Sequence, residues 1–154
     1  MKIYPSIKDR LLSQHLAIKE LIKNFDEEFI HRSQETGKWS IHENIVHIVS
    51  YHQVLLMRLD KIIKSDNPYL ERYTAENDTD FEKVKKLNSK ELLILLEKER
   101  KKVIDFIFKL NTNELQKSGT HQKFGKMNAV EWAEFFLLHE AHHIYTIFKL
   151  SRMN

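Results

Sequence analysis

His139 and His143 stand four residues apart near the end of the chain, in the run His139-Glu140-Ala141-His142-His143. On a helix that spacing leaves them about 40° apart on one face, so both imidazoles can reach a single ion. Two histidines on a helix face are equally well read as hydrogen-bonded core residues, and a third ligand is what separates the two readings. The same five residues satisfy H-E-x-x-H, the zinc-protease pattern in which the glutamate acts as general base. Those enzymes usually take their third ligand downstream, yet no His, Asp or Glu follows His143. A third ligand must therefore come from upstream, and a protease is disfavoured.

Upstream, His42, His47 and His52 fall within one helical pattern. His47 lies off the aliphatic stripe of that pattern, among Ser50, Tyr51, Val54 and Arg58, where a lone histidine is ordinarily a surface or flank residue. Three neutral imidazoles from two facing helices would leave positions open on zinc, nickel or a similar divalent ion, which is a catalytic style of site rather than a closed structural one. Glu140 is a candidate proton acceptor, although its direction on the helix, about 80–100° from the two histidines, favours an outward salt bridge. Tyr51, one turn beyond His47, is a candidate hydrogen-bond donor, with plain packing as the alternative. His15, with Leu11 and Ile22 on its apolar face, reads as a satisfied core histidine.

Four helical segments position these residues. The first runs from about Ser6 to Ile30, with Ile7, Leu11, Ile18, Leu21, Ile22, Phe25 and Phe29 at three- and four-residue steps; Pro5 suits its start. The second opens at Ser40, which with Glu43 has the capping-box spacing, and continues to about Ser65. The third extends from about Ser89, where Leu92 offers no box, to Leu110. The fourth, from near Asn128 to Leu150, is apolar on more than one side and reads as a buried helix. The link from Asp66 to Asn88, with its acidic cluster Glu76, Asp78 and Asp80, is long enough to be a crossover along the bundle. The link from Asn111 to Met127 is also long, and the two links are expected at one end of the molecule.

Composition agrees with this outline. The chain has 154 residues, 42% of them hydrophobic and 31% charged, as in a single soluble domain with a sizeable core. Three glycines and two prolines are too few for a turn-rich β architecture. The absence of cysteine removes disulfides, thiolate ligands and a thiol nucleophile of the chain's own. No signal-like or membrane-length apolar run is present, and a cytoplasmic location is expected. The net charge of +3 comes from lysines interspersed with acids. The densest basic run, Lys98 to Lys102 with Glu99 inside it, reads as a solvated helix face rather than a nucleic-acid surface.

Two local patterns resemble the DinB/YfiT-like family of metalloenzymes, the DinB superfamily. One is Gly37-Lys38-Trp39-Ser40 followed by His47 and Ile48-Val49-Ser50. The other is Phe124-Gly125, then Trp132, then the HEAHH run. Each is loose alone; together, in a helical chain of this size, they are fairly specific, and the likeness spans the first helix to about Leu150. The resemblance implies an all-α four-helix bundle with a long crossover between its second and third helices, and often a homodimer. It also implies a divalent metal held by His47, His139 and His143, with His142 off the ligand pattern and His52 either core or a neighbour of the ligands.

Family members with known activities include thiol S-transferases using low-molecular-weight thiols. The expected function is thus a divalent-metal-dependent enzyme on a small molecule, a thiol S-transferase or hydrolase, using zinc or nickel. The competing readings are a non-catalytic metal- or ligand-binding bundle serving as a sensor or stress protein, and a metal-free helical interaction module. An open coordination position facing a pocket is what separates the first from these.

Overall fold

The computed structural model describes residues 2–75 and 78–153, apart from the side chain of Thr79. Glu76, part of the acidic cluster noted above, lies outside the described residues.

Eight helices and three short strands are described among these residues. The first helical segment is not one helix but three: α1 (Pro5–Ser13), α2 (Leu16–Ile22) and α3 (Glu27–His31). At the first break the backbone bonds tighten from four-residue to three-residue steps, with the N–H groups of Ala17 and Ile18 donating to Gln14 and His15 carbonyls. At the second, Asp26 starts a new helix by accepting from the Phe29 N–H at 2.8 Å. Apolar periodicity runs through both breaks, so a sequence pattern alone joins the pieces.

Helix α4 (Ile41–Lys64) starts at the expected capping box: the Ser40 N–H donates to Glu43 Oε2 at 2.9 Å and the Glu43 N–H to Ser40 Oγ at 3.2 Å. Helix α6 (Ser89–Lys109) has a box as well, one residue earlier than the reading from Ser89 allowed, between Asn88 and Glu91. Asn128 and Glu131 cap α8 (Ala129–Leu150) in the same way. Helix α4 packs on both α6 and α8, while α1 and α2 lie against α8. With α1–α2 as one kinked arm, this is a four-helix bundle.

The links carry local structure of their own. The crossover contains β1 (Tyr69–Leu70) and α5 (Thr79–Val84); α7 (Thr112–Gln116), β2 (Ser118–His121) and β3 (Gly125–Asn128) precede α8. Strand β1 runs parallel to β2, pairing Leu70 with His121, and β2 pairs antiparallel with β3. The two links therefore do meet at one end, as a small sheet that no alternating hydrophobic pattern announces. Two glycines permit it. Gly125 turns the hairpin at φ +73°, and a Cβ on Gly119 would lie 3.0 Å from both Ile62 Cγ1 and the Pro68 carbonyl oxygen.

Two apolar clusters flank a polar layer. One contains Leu11, Leu55, Leu59, Val103, Trp132 and Phe136; the other Ile18, Ile45, Leu92, Leu96 and Ile147. Where the two clusters meet along the helices come the buried polar residues His15, His47, Ser50 and His52, Glu99 with Arg100, and Glu140 with His143. Arg100 is only 1% exposed and Glu99 is buried too, so the basic run on α6 is not a solvated face throughout. Nor is α8 buried all round: Leu138 is 58% and Tyr145 59% exposed. Among the described residues, no helix is long and apolar enough to cross a membrane.

Candidate metal centre

Helix α4 presents Asn44, His47, Tyr51 and Arg58 at steps of three, four and seven residues, which is one face of a helix. That face meets the His139–His143 face of α8. His139 Nε2 lies 3.1 Å from His47 Nε2 and 3.3 Å from His143 Nε2. All three rings are largely withdrawn from solvent, so His47 is not the flank residue its position off the stripe suggested.

The donor set fits a divalent ion. With metal–nitrogen bonds of about 2.0–2.1 Å, tetrahedral ligands stand about 3.3 Å apart, close to the two separations from His139, and all three donor atoms lie within 4.8 Å of one another. Each ligating nitrogen must also present a lone pair rather than an N–H. For His143 this is fixed by Asn44: its Nδ2 donates to the Ser40 carbonyl at 2.8 Å, so its Oδ1 accepts from His143 Nδ1, also at 2.8 Å. The His143 Nε2 lone pair is thereby turned inward. Burial, reinforced by the neighbouring imidazoles, lowers the pKa of each of the three histidines to about 3, so all are neutral at physiological pH, as ligation requires.

The surroundings are aromatic. Trp39 packs 4.9 Å from the His47 ring and 6.0 Å from that of His143, and Tyr51 lies 4.3 Å from His139. Among the described residues, His47, His139 and His143 alone form a cluster of three or more metal-ligating side chains, with no carboxylate as a fourth member. A cavity of about 190 Å³ opens on His47 and His139, and a separate, larger one of about 770 Å³ is lined in part by His143 and Asn44.

The other sequence candidates separate clearly. Tyr51 lines the smaller cavity; its oxygen accepts from Arg58 Nη1 at 2.7 Å. Burial raises its pKa despite Arg58, keeping it a phenol. Glu140 does form a salt bridge, but an inward one. It is 1% exposed, paired with the equally buried Arg100, and takes a second bond from Gln14 Nε2 at 2.8 Å; it lines neither cavity at the histidines. His142 is exposed beside His143. His52 is buried, with Nδ1 donating to the Ile48 carbonyl at 2.7 Å, and belongs to the core. His15 is buried too, and neither histidine is fully satisfied: among the described residues His15 Nδ1 and His52 Nε2 have no hydrogen-bond partner.

Asn44, and Arg58 as more than a neighbour of His47, come to light only in the structure. Their register with His47 was a usable signal; His121, delivered by the sheet, had none.

Fold and cluster together define a four-helix bundle whose second and fourth helices bring three histidines to one point. A family model of the DinB superfamily matches residues 14–147, and the chain belongs to that superfamily. Proteins of Bacillus cereus (strain 03BB102) and Bacillus thuringiensis subsp. konkukian (strain 97-27), both described as "Putative metal-dependent hydrolase", are each 22% identical over 135 residues, covering 88% of this chain and 78% of theirs. Among solved structures, YfiT from Bacillus subtilis, described as "a probable metal-dependent hydrolase with an unusual four-helix bundle topology", superposes with a TM-score of 0.81 at 16% identity, covering 96% of this chain and 85% of that one. A second four-helix bundle protein gives a TM-score of 0.66 at 18% identity, with 92% and 94% covered.

Proposed function

We propose that this protein is a divalent-metal-dependent enzyme acting on a small molecule, with hydrolysis as its reaction and His47, His139 and His143 as metal ligands. The observation that carries the reading is the convergence of three inward-facing Nε2 atoms beside a cavity, with no fourth protein ligand among the described residues. The descriptions of the relatives point the same way. Zinc and nickel suit three imidazoles. When bound, such an ion supplies Lewis acidity and a nucleophile at neutral pH.

The chain's own side chains do the rest. Tyr51 accepts from Arg58, leaving its phenolic proton to be donated into the cavity toward charge developing on a substrate oxygen. Tyr73, Phe124 and Phe135 wall the cavity and limit water around the reacting group. Glu140 stays a structural partner of Arg100. A thiol S-transferase is the second reading. With no cysteine in the chain the thiol would enter as cosubstrate, and a cavity of about 750 Å³, which shares Arg72 and Tyr73 with the smaller one, offers it room.

Metal analysis of the purified protein beside His47→Ala, His139→Ala and His143→Ala tests the ligand set. Stoichiometric zinc or nickel in the parent and its loss in each variant are expected; full metal content in His47→Ala would sink the assignment. Turnover of an ester and amide panel, with and without metal and with and without added thiols, then tests the reaction. Metal-dependent hydrolysis without thiol supports the first reading, and turnover only with thiol supports the second. No metal-dependent turnover shifts the protein to a metal- or ligand-binding role.

A further inference from the structure

The cavity that opens on His47 and His139 is also lined by Arg58, His121, Arg72 and Lys123, and by no carboxylate. Arg58 and His121 are both buried. Among the described residues Arg58 has no carboxylate partner. Its guanidinium donates to the Tyr51 hydroxyl at 2.7 Å and to the Glu71 carbonyl at 2.9 Å, and lies 4.8 Å from the Trp132 ring. Aromatic faces and neutral acceptors offset only part of the cost of burying a full charge. Asp78, the nearby acid, is engaged elsewhere: its Oδ2 accepts from Tyr73 and its Oδ1 from the Asp80 N–H.

The contact between Arg58 and His121 cannot be a hydrogen bond. His121 Nδ1 receives the backbone N–H groups of Lys123 at 3.0 Å and Phe124 at 3.3 Å. Backbone N–H groups only donate, so Nδ1 is the acceptor nitrogen of a neutral ring and the proton resides on Nε2. That Nε2–H lies 3.4 Å from Arg58 Nη2, which is itself only a donor. One Nη2 N–H is taken by the Glu71 carbonyl; the other and the His121 Nε2–H thus converge with no acceptor between them among the described residues, in a cavity that also carries two candidate metal ligands and two further cations.

We propose that Arg58 Nη2 and His121 Nε2 form an anion-binding site that takes a carboxylate or phosphate group of the substrate. An anionic oxygen between them satisfies both donors and supplies the charge that Arg58 lacks. The substrate class is then a small organic anion, held by its acidic group while its reactive group faces the histidines. This assignment rests on the reading of that cavity as the substrate's, but its test does not need a metal.

Benzoate and its neutral isostere benzamide are the probes, titrated into zinc-loaded and chelator-treated protein at low ionic strength. Benzoate is expected to bind about tenfold more tightly than benzamide in both forms. His121→Phe, which keeps a ring against Phe124, and Arg58→Met are each expected to weaken benzoate about tenfold and leave benzamide unchanged. Should Arg58→Met fail to fold, Arg72→Ala/Lys123→Ala is expected to lower benzoate affinity about threefold and to flatten its salt dependence. Equal binding of benzoate and benzamide would overturn the proposal. So would benzoate binding that appears only with zinc and is untouched by His121→Phe, because the anion would then sit on the metal alone. A protein without stoichiometric metal that still binds benzoate through Arg58 and His121 would refute the metal reading and leave this one standing.

Discussion

At His143 the nitrogen facing away from the cluster matters as much as the one facing it. Asn44 holds the Nδ1 proton, and with it the orientation of the Nε2 lone pair. Asn44→Ala is therefore expected to retain the metal but weaken it by about 10–100-fold in competition with a chelator; parental affinity would show that the ring needs no such support. Glu140 belongs to a different balance. Removing one partner of a buried ion pair leaves an uncompensated charge, so Glu140→Ala should lose about 3–5 kcal/mol of stability, whereas Arg100→Met/Glu140→Leu should be much closer to the parent. Metal content should be unchanged in Glu140→Ala protein that folds. A selective loss of metal or turnover, with stability intact, would return Glu140 to the role of catalytic base.

At the scale of elements, the polar layer is made where α1 gives way to α2 and where α4, α6 and α8 each interrupt their apolar stripe. His15 sits in the first of these breaks. Burial, and then the positive charge of Arg100, lowers its pKa from 6.5 to about 4. As pH falls, the unfolded chain binds this proton first. The stability tied to a neutral His15 is thus complete above about pH 6.5, declines as pH drops toward 4, and amounts to about 3 kcal/mol over that window. His52, buried beside Arg100 and His15, is shifted in the same direction. Denaturant unfolding at pH 7 and pH 4.5 should show His15→Gln losing distinctly less stability on acidification than the parent. Equal losses would mean that His15 is protonated in the folded protein without penalty.

At the scale of the whole molecule, the outer face of α8 presents an apolar surface with no partner among the described residues. Leu138, Ala141, Tyr145 and Phe148 recur along α8 at helical spacing and are exposed, and Ala17 and Leu21 of α2 adjoin the last three. We propose that this face meets a second copy of the chain, since the resemblance implies a homodimer and a self-complementary helix face closes by twofold symmetry. Light scattering should give a dimer for the parent and a monomer for Leu138→Glu/Tyr145→Glu, with metal content retained. A monomeric parent at micromolar concentration would dispose of this interface.

The bundle and the pair on α8 were legible in the sequence because both rest on short-range periodicity. A four-residue step fixes a shared helix face whatever the partner, and the Ser40–Glu43 box marks where α4 begins. The family resemblance picked out His47, but neither its burial nor its approach to His139 could be read from α4 alone. Three features were settled only by packing between distant segments. The break at Gln14 and His15 is invisible to an apolar pattern that continues through it. The inward turn of Glu140 depends on Arg100, forty residues away on another helix. The sheet that brings His121 to Arg58 depends on Gly119 admitting a close backbone approach. Helix periodicity is a local property of the chain; which buried donor, acceptor or charge each side chain faces is decided by the fold. The HEAHH run shows both: its histidines met as their spacing predicted, and its glutamate found a partner that no spacing could specify.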